Sequence, residues 1–551
     1  MRSIIFCGFC IVLFIAIVLR VNNVSGVPPS LSLDEVSIGY NAYSILKTGA
    51  DEYGTTLPIL LRAYDDWRPA AYAYLVAASI PFFGLTPYSI RLPAVLLSIL
   101  TVILAYFLAY HVSKQSTGNE KTAAWTGIIT ALLISISPWH IYLSRLGHEA
   151  NLGHAATVLF VYGLVRWAEK KQSGWLWVSM IGSIVALYGY QSQKLIIPLI
   201  CLIFLWVYFS DIRTNLRQYL TVGVVGLILI TPLVMTTLSP SSLIRLRATS
   251  AFDSNSTEFQ RRADLYAKAL GEGNMLNIFR YNLRIFQGTI FINNYLSHFS
   301  PRWLFAGGNF EAHKVPGMGL LFPWELILLL CGSFVVVAFA GQKKLLFFIF
   351  LIIAIAPIPA AITTQAPHAM RSYTMIPYFQ IISGIGAYKI VESLKFITYK
   401  IVFITLCTMV IVVSIAWLWR QYYTVFPFTQ SDSFQYAYTQ SISWVIEHQN
   451  EYERIVISNR GDLYQSYMFY LFYSRFDPAQ YKRIGGTRSG GYNEIHTIGK
   501  YEFRPFLWEE EIRGKKTLYV GSSNDFPPGE EGIKVFHSRD GSSSVKAIQK
   551  L

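Results

Sequence analysis

Two adjacent carboxylates, Asp34 and Glu35, stand in Leu31-Ser-Leu-Asp-Glu-Val-Ser-Ile-Gly-Tyr40, directly after the first long apolar stretch. The residues that follow are apolar and suited to a helix, where neighbours point about 100° apart. One acid can therefore face a cavity while the other caps the helix or pairs elsewhere, and only one need be catalytic. A plain N-cap with an acidic first turn is the competing explanation for the dipeptide taken alone. Further ionisable groups weigh against it. Gly49-Ala-Asp-Glu-Tyr-Gly54, Asp65-Asp-Trp-Arg68-Pro69 and Arg91-Leu-Pro93 follow in the same segment, and Arg145-Leu-Gly-His148-Glu149 is squeezed between two apolar stretches. A charge at mid-membrane costs about 2.5 to 3.5 kcal/mol and less near the surface, so several at the ends of apolar stretches point to one wet cavity. Snorkelling to lipid headgroups is the alternative for Arg91 or Arg145 singly.

The elements that must position these groups are membrane helices. Of the 551 residues, 53% are hydrophobic and 14% charged, whereas a soluble domain is about a quarter charged; a purely soluble protein is excluded. A span needs roughly 20 mostly apolar residues. Candidates lie near 4–21, 91–112, 123–142, 152–168, 174–190, 194–210, 218–238, 320–341, 345–362, 373–391 and 401–420, about eleven in all. The first is read as an anchor rather than a cleaved signal, because its run is long and no small-residue cleavage site stands out. The stretch from Ala70 to Gly84 is short and broken by Pro81. If it does not cross, the connections bearing Lys114 and Lys121, Arg166, Lys170 and Lys171, Arg213 and Arg217, Lys343 and Lys344, and Lys389, Lys395 and Lys400 all face the cytoplasm, as the positive-inside rule asks. It is therefore expected to be an interfacial or re-entrant helix, with the N-terminus inside and the C-terminus outside.

That topology puts the soluble mass outside. The loop 22–90, the loop 239–319 and the tail 421–551 carry it, against cytoplasmic connections too short to hold a site. The tail is richer in Glu, Asp, Gly and Ser. Arg454 to Ser458 and Thr517 to Gly521 read as strands, and Phe434 to His448 and Tyr464 to Tyr473 as helices, which predicts a small α/β domain beside a mostly α membrane domain over 1–420. The five cysteines all sit in apolar runs, so neither a disulfide framework nor a Cys-rich metal site is expected. The net charge of +14 is not gathered into a basic arm, and nucleic acid is not an expected partner.

The acidic pair after span one, Gly-Ala-Asp-Glu-Tyr-Gly, the basic-Pro step at Arg68-Pro69, Arg91-Leu-Pro93 and Arg145-x-x-x-Glu149 together resemble one family over about residues 1–420. It is that of the polyprenyl-phosphate-sugar-dependent glycosyltransferases of the C-type membrane fold, the protein O-mannosyltransferases and the aminoarabinose transferase of lipid A. The resemblance implies sugar transfer from a polyprenyl-phosphate donor to an acceptor, which could be a protein, lipid or glycan; the topology puts the site at the outer face, and the short loops without retrieval signals point to a plasma membrane. It places the family's first-loop catalytic acid on Asp34 and Glu35, and its second-loop acidic position on Glu149. Arg68 stands where the aminoarabinose enzyme has a lysine before its prolines, which keeps the charge and changes the fork geometry.

The chemistry of that reaction suits these residues. The leaving phosphate is already a stable anion and needs cations more than a proton donor. The acceptor hydroxyl needs a carboxylate to take its proton, for which Asp34 is the candidate, with Glu149 supporting. Arg68, Lys194 in Tyr188-Gly-Tyr-Gln-Ser-Gln-Lys194 and Arg371 in Pro367-His368-Ala-Met-Arg371 are candidates for the lipid phosphate, with Arg91, Arg145, His368 and His313 as further substrate contacts. Phe299 to Gly319, rich in glycine and aromatics, could form a lid. No metal or other cofactor is expected. A flippase of lipid-linked sugars and an oligosaccharide ligase of related architecture are the alternatives. The first would place its charges at the membrane midplane, the second its key Arg and His in a late loop.

Overall fold

The structure, a computed structural model, describes residues 2–63, 66–239, 250–252, 257–339, 344–491, 494–511 and 516–550. Asp65 and Lys343 lie outside the described residues. The chain is mostly helical, in the order α1 (Arg2–Val21), α2 (Leu33–Thr48), β1 (Leu60–Ala63), β2 (Asp66–Pro69), α3 (Ala71–Phe83), α4 (Pro87–Thr117), α5 (Glu120–Ile136), α6 (Pro138–Ser144), α7 (Ala150–Lys170), α8 (Ser173–Gly189), α9 (Gln193–Val207), α10 (Phe209–Thr214) and α11 (Leu216–Thr237). Beyond these come the apolar helices Glu325–Phe339, Lys344–Ile355, Tyr378–Ser393 and Ile397–Arg420.

Among the described residues, each of the eleven apolar stretches contains a helix. Among the described residues, five helices are long and apolar enough to cross a membrane, and a sixth if α5 and α6, bent by 58° at Pro138, form one broken span. The others are shorter or more polar, so a count of eleven spans does not follow from length and composition. α3 is a 13-residue helix packed between α2 and α4, too short to cross upright at about 1.5 Å per residue.

The segment from Asn22 to Ser32, between α1 and α2, has no regular structure, yet Val24, Val27, Ser30 and Leu31 are buried. Buried carbonyls need donors, and two fully buried arginines supply them. Arg145 donates to the carbonyls of Leu19, Arg20, Asn23 and Val27; Arg91 donates to those of Val24, Ser25, Pro28 and Ser30. Arg145 thereby also places a cation at the C-terminal end of α1, where the helix dipole favours one.

The C-terminal part forms one six-stranded mixed sheet. With β3 (Arg454–Ile457), β4 (His496–Ile498), β5 (Tyr501–Phe503), β6 (Thr517–Ser522), β7 (Lys534–His537) and β8 (Ser544–Lys550), the order is β4-β5-β3-β6-β8-β7. β3 is central and parallel to both its neighbours, and Ile455, Val456 and Ile457 are fully buried, as a continuous apolar run in an inner strand requires. The helices Tyr436–His448 and Ser466–Tyr473 match the expected ones to within two residues. The first packs on β7 and β8, the second on α2. A single hydrophobic core thus joins residues from Leu31 to Leu152 with residues from Ala437 to Ala547.

Glu52 is buried in this junction, accepting from Asn41 Nδ2 at 2.9 Å and from Thr487 Oγ1 at 2.6 Å. Burial pushes its carboxyl up to about 7 against those two hydrogen bonds, with the charges of Asp51 and Glu494 adding to the rise. The folded chain therefore holds this proton more tightly than the unfolded one. The stability it contributes is complete below an unfolded value near 4.5 and falls as pH rises through about 7. Glu52→Gln should raise the Tm at about pH 8 and flatten the Tm profile between about pH 5 and 8. A profile parallel to wild type would show that Glu52 does not titrate there.

Candidate active site

Asp34 and Glu35 lie in the first turn of α2, and the helix drives their side chains apart. Ser32 and Glu35 form a capping box: Ser32 Oγ accepts from the Glu35 amide and Glu35 Oε2 from the Ser32 amide. Glu35 Oε1 also accepts from the Gly147 amide and Arg91 Nε, at 2.9 and 2.8 Å, and Oε2 from Arg91 Nη2 at 3.1 Å. Only glycine fits at 147. A Cβ there would lie 2.4 Å from Ile90 Cγ2 and 3.3 Å from Glu35 Oε1. Asp34, half exposed, takes the other direction and meets Arg68 Nη2 at 2.8 Å. Arg68 is held on β2, whose antiparallel pairing with β1 sets it opposite Leu61.

Asp34 faces a cavity of about 560 Å³. Its lining comprises a first wall, the start of α2 with Leu146, His148 and Tyr190, a second wall, residues 310–313 with Gln365, His368, Met370 and Arg371, and Ser433 and Phe434 of the C-terminal part. The cavity thus brings together the carboxylates of Asp34, Glu35 and Glu311, the Arg371 guanidinium and the imidazoles of His148, His313 and His368 from distant parts of the chain.

The second wall is organised by a residue the sequence reading passed over. Glu311 accepts from the Ala369 amide at 2.8 Å and from Trp303 Nε1 at 3.3 Å, tying the 309–313 segment to the 365–371 segment. Asn309 Nδ2 adds a second tie to the Pro367 carbonyl. Around Glu311 stand His313 Nε2 at 3.3 Å, His368 Nδ1 at 3.6 Å and Lys314 Nζ at 3.6 Å. Burial works to raise the Glu311 carboxyl, but these neighbours hold it well below the usual carboxylate range. His368 is pushed down to about 3 by burial, against the charge of Glu311, so at neutral pH its ring is uncharged.

Arg371 Nη1 donates to Thr363 Oγ1 and the Thr364 carbonyl, both at 2.8 Å, which holds its guanidinium in place while the side chain lines the cavity. Of the candidates read from sequence, Asp34, Glu35, His313, His368 and Arg371 meet at this cavity. Arg68 reaches it only as the partner of Asp34. Lys194 does not line it and donates to Thr237 Oγ1 at 3.0 Å. Glu149 is buried with Oε2 3.4 Å from His148 Nδ1, and His148, not Glu149, faces the cavity.

Three expectations are corrected. Arg91 and Arg145 are not substrate ligands, because both are fully buried and committed to the carbonyls between α1 and α2. Glu35 is not a second catalytic acid: its two oxygens already accept from two amides and from Arg91, and its place is that of an anchor for the helix carrying Asp34. The rule that ionisable groups at span ends mark a site fails for these residues. The partners that claim them are backbone atoms, which side-chain spacing does not reveal.

Comparison with known proteins adds to this geometry. Residues 67–235 match the family model described as dolichyl-phosphate-mannose-protein mannosyltransferase. Among solved structures, the chain is similar to ArnT from Cupriavidus metallidurans in the apo state, with 13% identity and a TM-score of 0.50, covering 99% of this chain and 97% of that one. It is also similar to the archaeal oligosaccharyltransferase AglB from Archaeoglobus fulgidus in complex with an inhibitory peptide and a dolichol-phosphate, with 12% identity, a TM-score of 0.50, and 86% and 64% of the two chains covered. The apo form of the Archaeoglobus fulgidus enzyme gives 12% identity, a TM-score of 0.52, and 85% and 64%. The chain therefore spans less than two thirds of the length of the oligosaccharyltransferase. A search of curated proteins gives no match. The chain thus shares its fold with ArnT and AglB, and residues 67–235, which include the basic-Pro step at Arg68, Arg91-Leu-Pro93 and Arg145 to Glu149, are similar to the mannosyltransferase family model.

Proposed function

We propose that the protein moves a single sugar, hexosyl or pentosyl, from a polyprenyl-phosphate donor to an acceptor hydroxyl, with inversion at the anomeric carbon. The observation that carries this reading is one cavity lined both by Asp34 and by Arg371, His313 and His368. A phosphate held by the second wall directs its sugar toward the first. Asp34 takes the proton of the attacking hydroxyl as the new bond forms, and Arg371 with the histidine donors stabilises the departing phosphate. Arg68 keeps the Asp34 carboxylate in position, and Glu311 keeps the two segments of the phosphate wall together. The dolichol-phosphate bound to AglB is in keeping with a lipid phosphate as the ligand.

In this reading the eleven apolar helices all cross a plasma membrane. The N-terminus is cytoplasmic, the cavity and the C-terminal domain lie at the outer face, and no metal takes part. The test supplies purified protein with radiolabelled polyprenyl-phosphate sugars and a membrane extract, then identifies the labelled product by mass spectrometry. Translocation of the intact lipid-linked sugar with no labelled acceptor would favour a flippase and overturn the proposal. Arg371→Ala should raise the donor KM by about tenfold or more with a smaller change in kcat, since a charge-assisted contact to phosphate is lost. An unaltered donor affinity would remove Arg371 from the phosphate site.

A further inference from the structure

A second polar cavity, of about 330 Å³, lies at the far end of the helix bundle, lined among others by Gln115, Ser116, Lys171, Tyr208, Asp211 and Lys344. α7 begins next to Glu149 and ends next to Lys171, and its 21 residues, at about 1.5 Å each, separate the two ends by roughly 30 Å, the thickness of a bilayer core. α4 makes the same traverse from Arg91 to Gln115. The two cavities therefore lie toward opposite ends of these helices.

The lining of the second cavity has more donors than acceptors. Lys171 Nζ is 2.7 Å from Asp211 Oδ1, and Lys344 Nζ is 3.2 Å from Asp211 Oδ2. Among the described residues, two ammonium groups share one carboxylate, which leaves one positive charge more than the ion pairs balance. Gln115 Nε2 is buried in the same lining with no hydrogen-bond partner, a position that costs free energy unless an acceptor arrives. Ser116 spends its proton on the Val112 carbonyl. The site thus lacks a negatively charged group with several acceptor oxygens. Its frame is aromatic: Lys171 Nζ lies 4.4 Å from the Trp167 ring centroid and 5.6 Å from that of Tyr208, over which Lys344 Nζ stands at 5.8 Å. Leu205, Trp206 and Phe209, beside Tyr208 in the chain, are exposed apolar side chains, a surface suited to acyl chains and unsuited to a free ion.

We propose that this cavity binds the phosphodiester headgroup of an anionic phospholipid in the leaflet opposite the Asp34 cavity. The phosphate accepts from Lys171 Nζ, Lys344 Nζ and Gln115 Nε2, and its single negative charge balances the excess ammonium. Basic pockets between membrane helices bind lipid headgroups by the same electrostatics. The site shares no residue with the main cavity, so it stands whatever reaction occurs there.

Native mass spectrometry of the full chain, with phosphatidylglycerol or phosphatidylcholine added, tests the proposal. The wild type should retain phosphatidylglycerol in preference to phosphatidylcholine. Lys171→Gln with Lys344→Gln should weaken that retention at least about tenfold while leaving sugar transfer unchanged. Gln115→Glu, which keeps both lysines and gives them an internal carboxylate, should weaken it likewise and decides the matter if the double variant does not fold. Equal retention of the two lipids, or retention by Gln115→Glu equal to wild type, would overturn the proposal. Displacement of the lipid by millimolar inorganic phosphate would overturn the lipid assignment in favour of a free anion.

Discussion

Asp34→Asn should abolish sugar transfer and leave donor binding near that of wild type. The amide is the same size as the carboxylate and still offers an oxygen to Arg68 Nη2, so the 2.8 Å contact that seats residue 34 has a neutral substitute. It cannot take a proton from an attacking hydroxyl. Loss of a positioned base costs about 10²- to 10⁴-fold in rate, and since the phosphate is held on the second wall, kcat should fall with little change in donor Kd. Single-turnover transfer from a radiolabelled donor, set beside equilibrium donor binding, separates the two quantities. Turnover equal to wild type would refute Asp34 as the base. A parallel loss of donor binding would place residue 34 at the phosphate instead.

Arg91→Leu should produce the largest loss of stability. Its guanidinium joins Glu35, at the start of α2, to four carbonyls of the segment between α1 and α2. All of these groups lose their donor together in the variant. Breaking a buried ion pair by removing one partner costs about 3 to 5 kcal/mol, and each buried acceptor left unpaired adds about 1 to 3 kcal/mol. The expected outcome is a collapse in the yield of folded protein, or a fall in Tm in detergent far larger than that of Asp34→Asn, whose side chain is half exposed. A Tm equal to wild type would show that the α1–α2 segment is held by other means.

Much of the scaffold was legible because hydropathy acts over whole elements. Each apolar stretch contains a helix, Ala70 to Gly84 became a short helix against α2 and α4, and the β-branched runs at 454 and 517 became inner strands. The divergence of Asp34 and Glu35 was legible too, since it follows from 100° per residue. What the sequence hid was the identity of partners. Arg91 and Arg145 look the same on paper whether they hold a phosphate or eight carbonyls, because the carbonyls carry no residue-type signal. Glu311 escaped for a related reason. It sits in an aperiodic segment, and its significance comes from the Ala369 amide and Trp303 indole that it joins, far from it or unremarkable in the chain. A carboxylate flanked by His313 and Lys314 was the available cue, since such a cluster seldom forms on a surface without purpose.

The core around α2 draws its two halves from opposite ends of the polypeptide, Leu31 to Leu152 and Ala437 to Ala547. A ribosome adding about 5 to 20 residues per second needs roughly 25 to 100 seconds to travel from the first half to the last of the second. For most of that interval the helix bearing Asp34 waits without the helix Ser466–Tyr473 that packs on it, so this part of the core closes late.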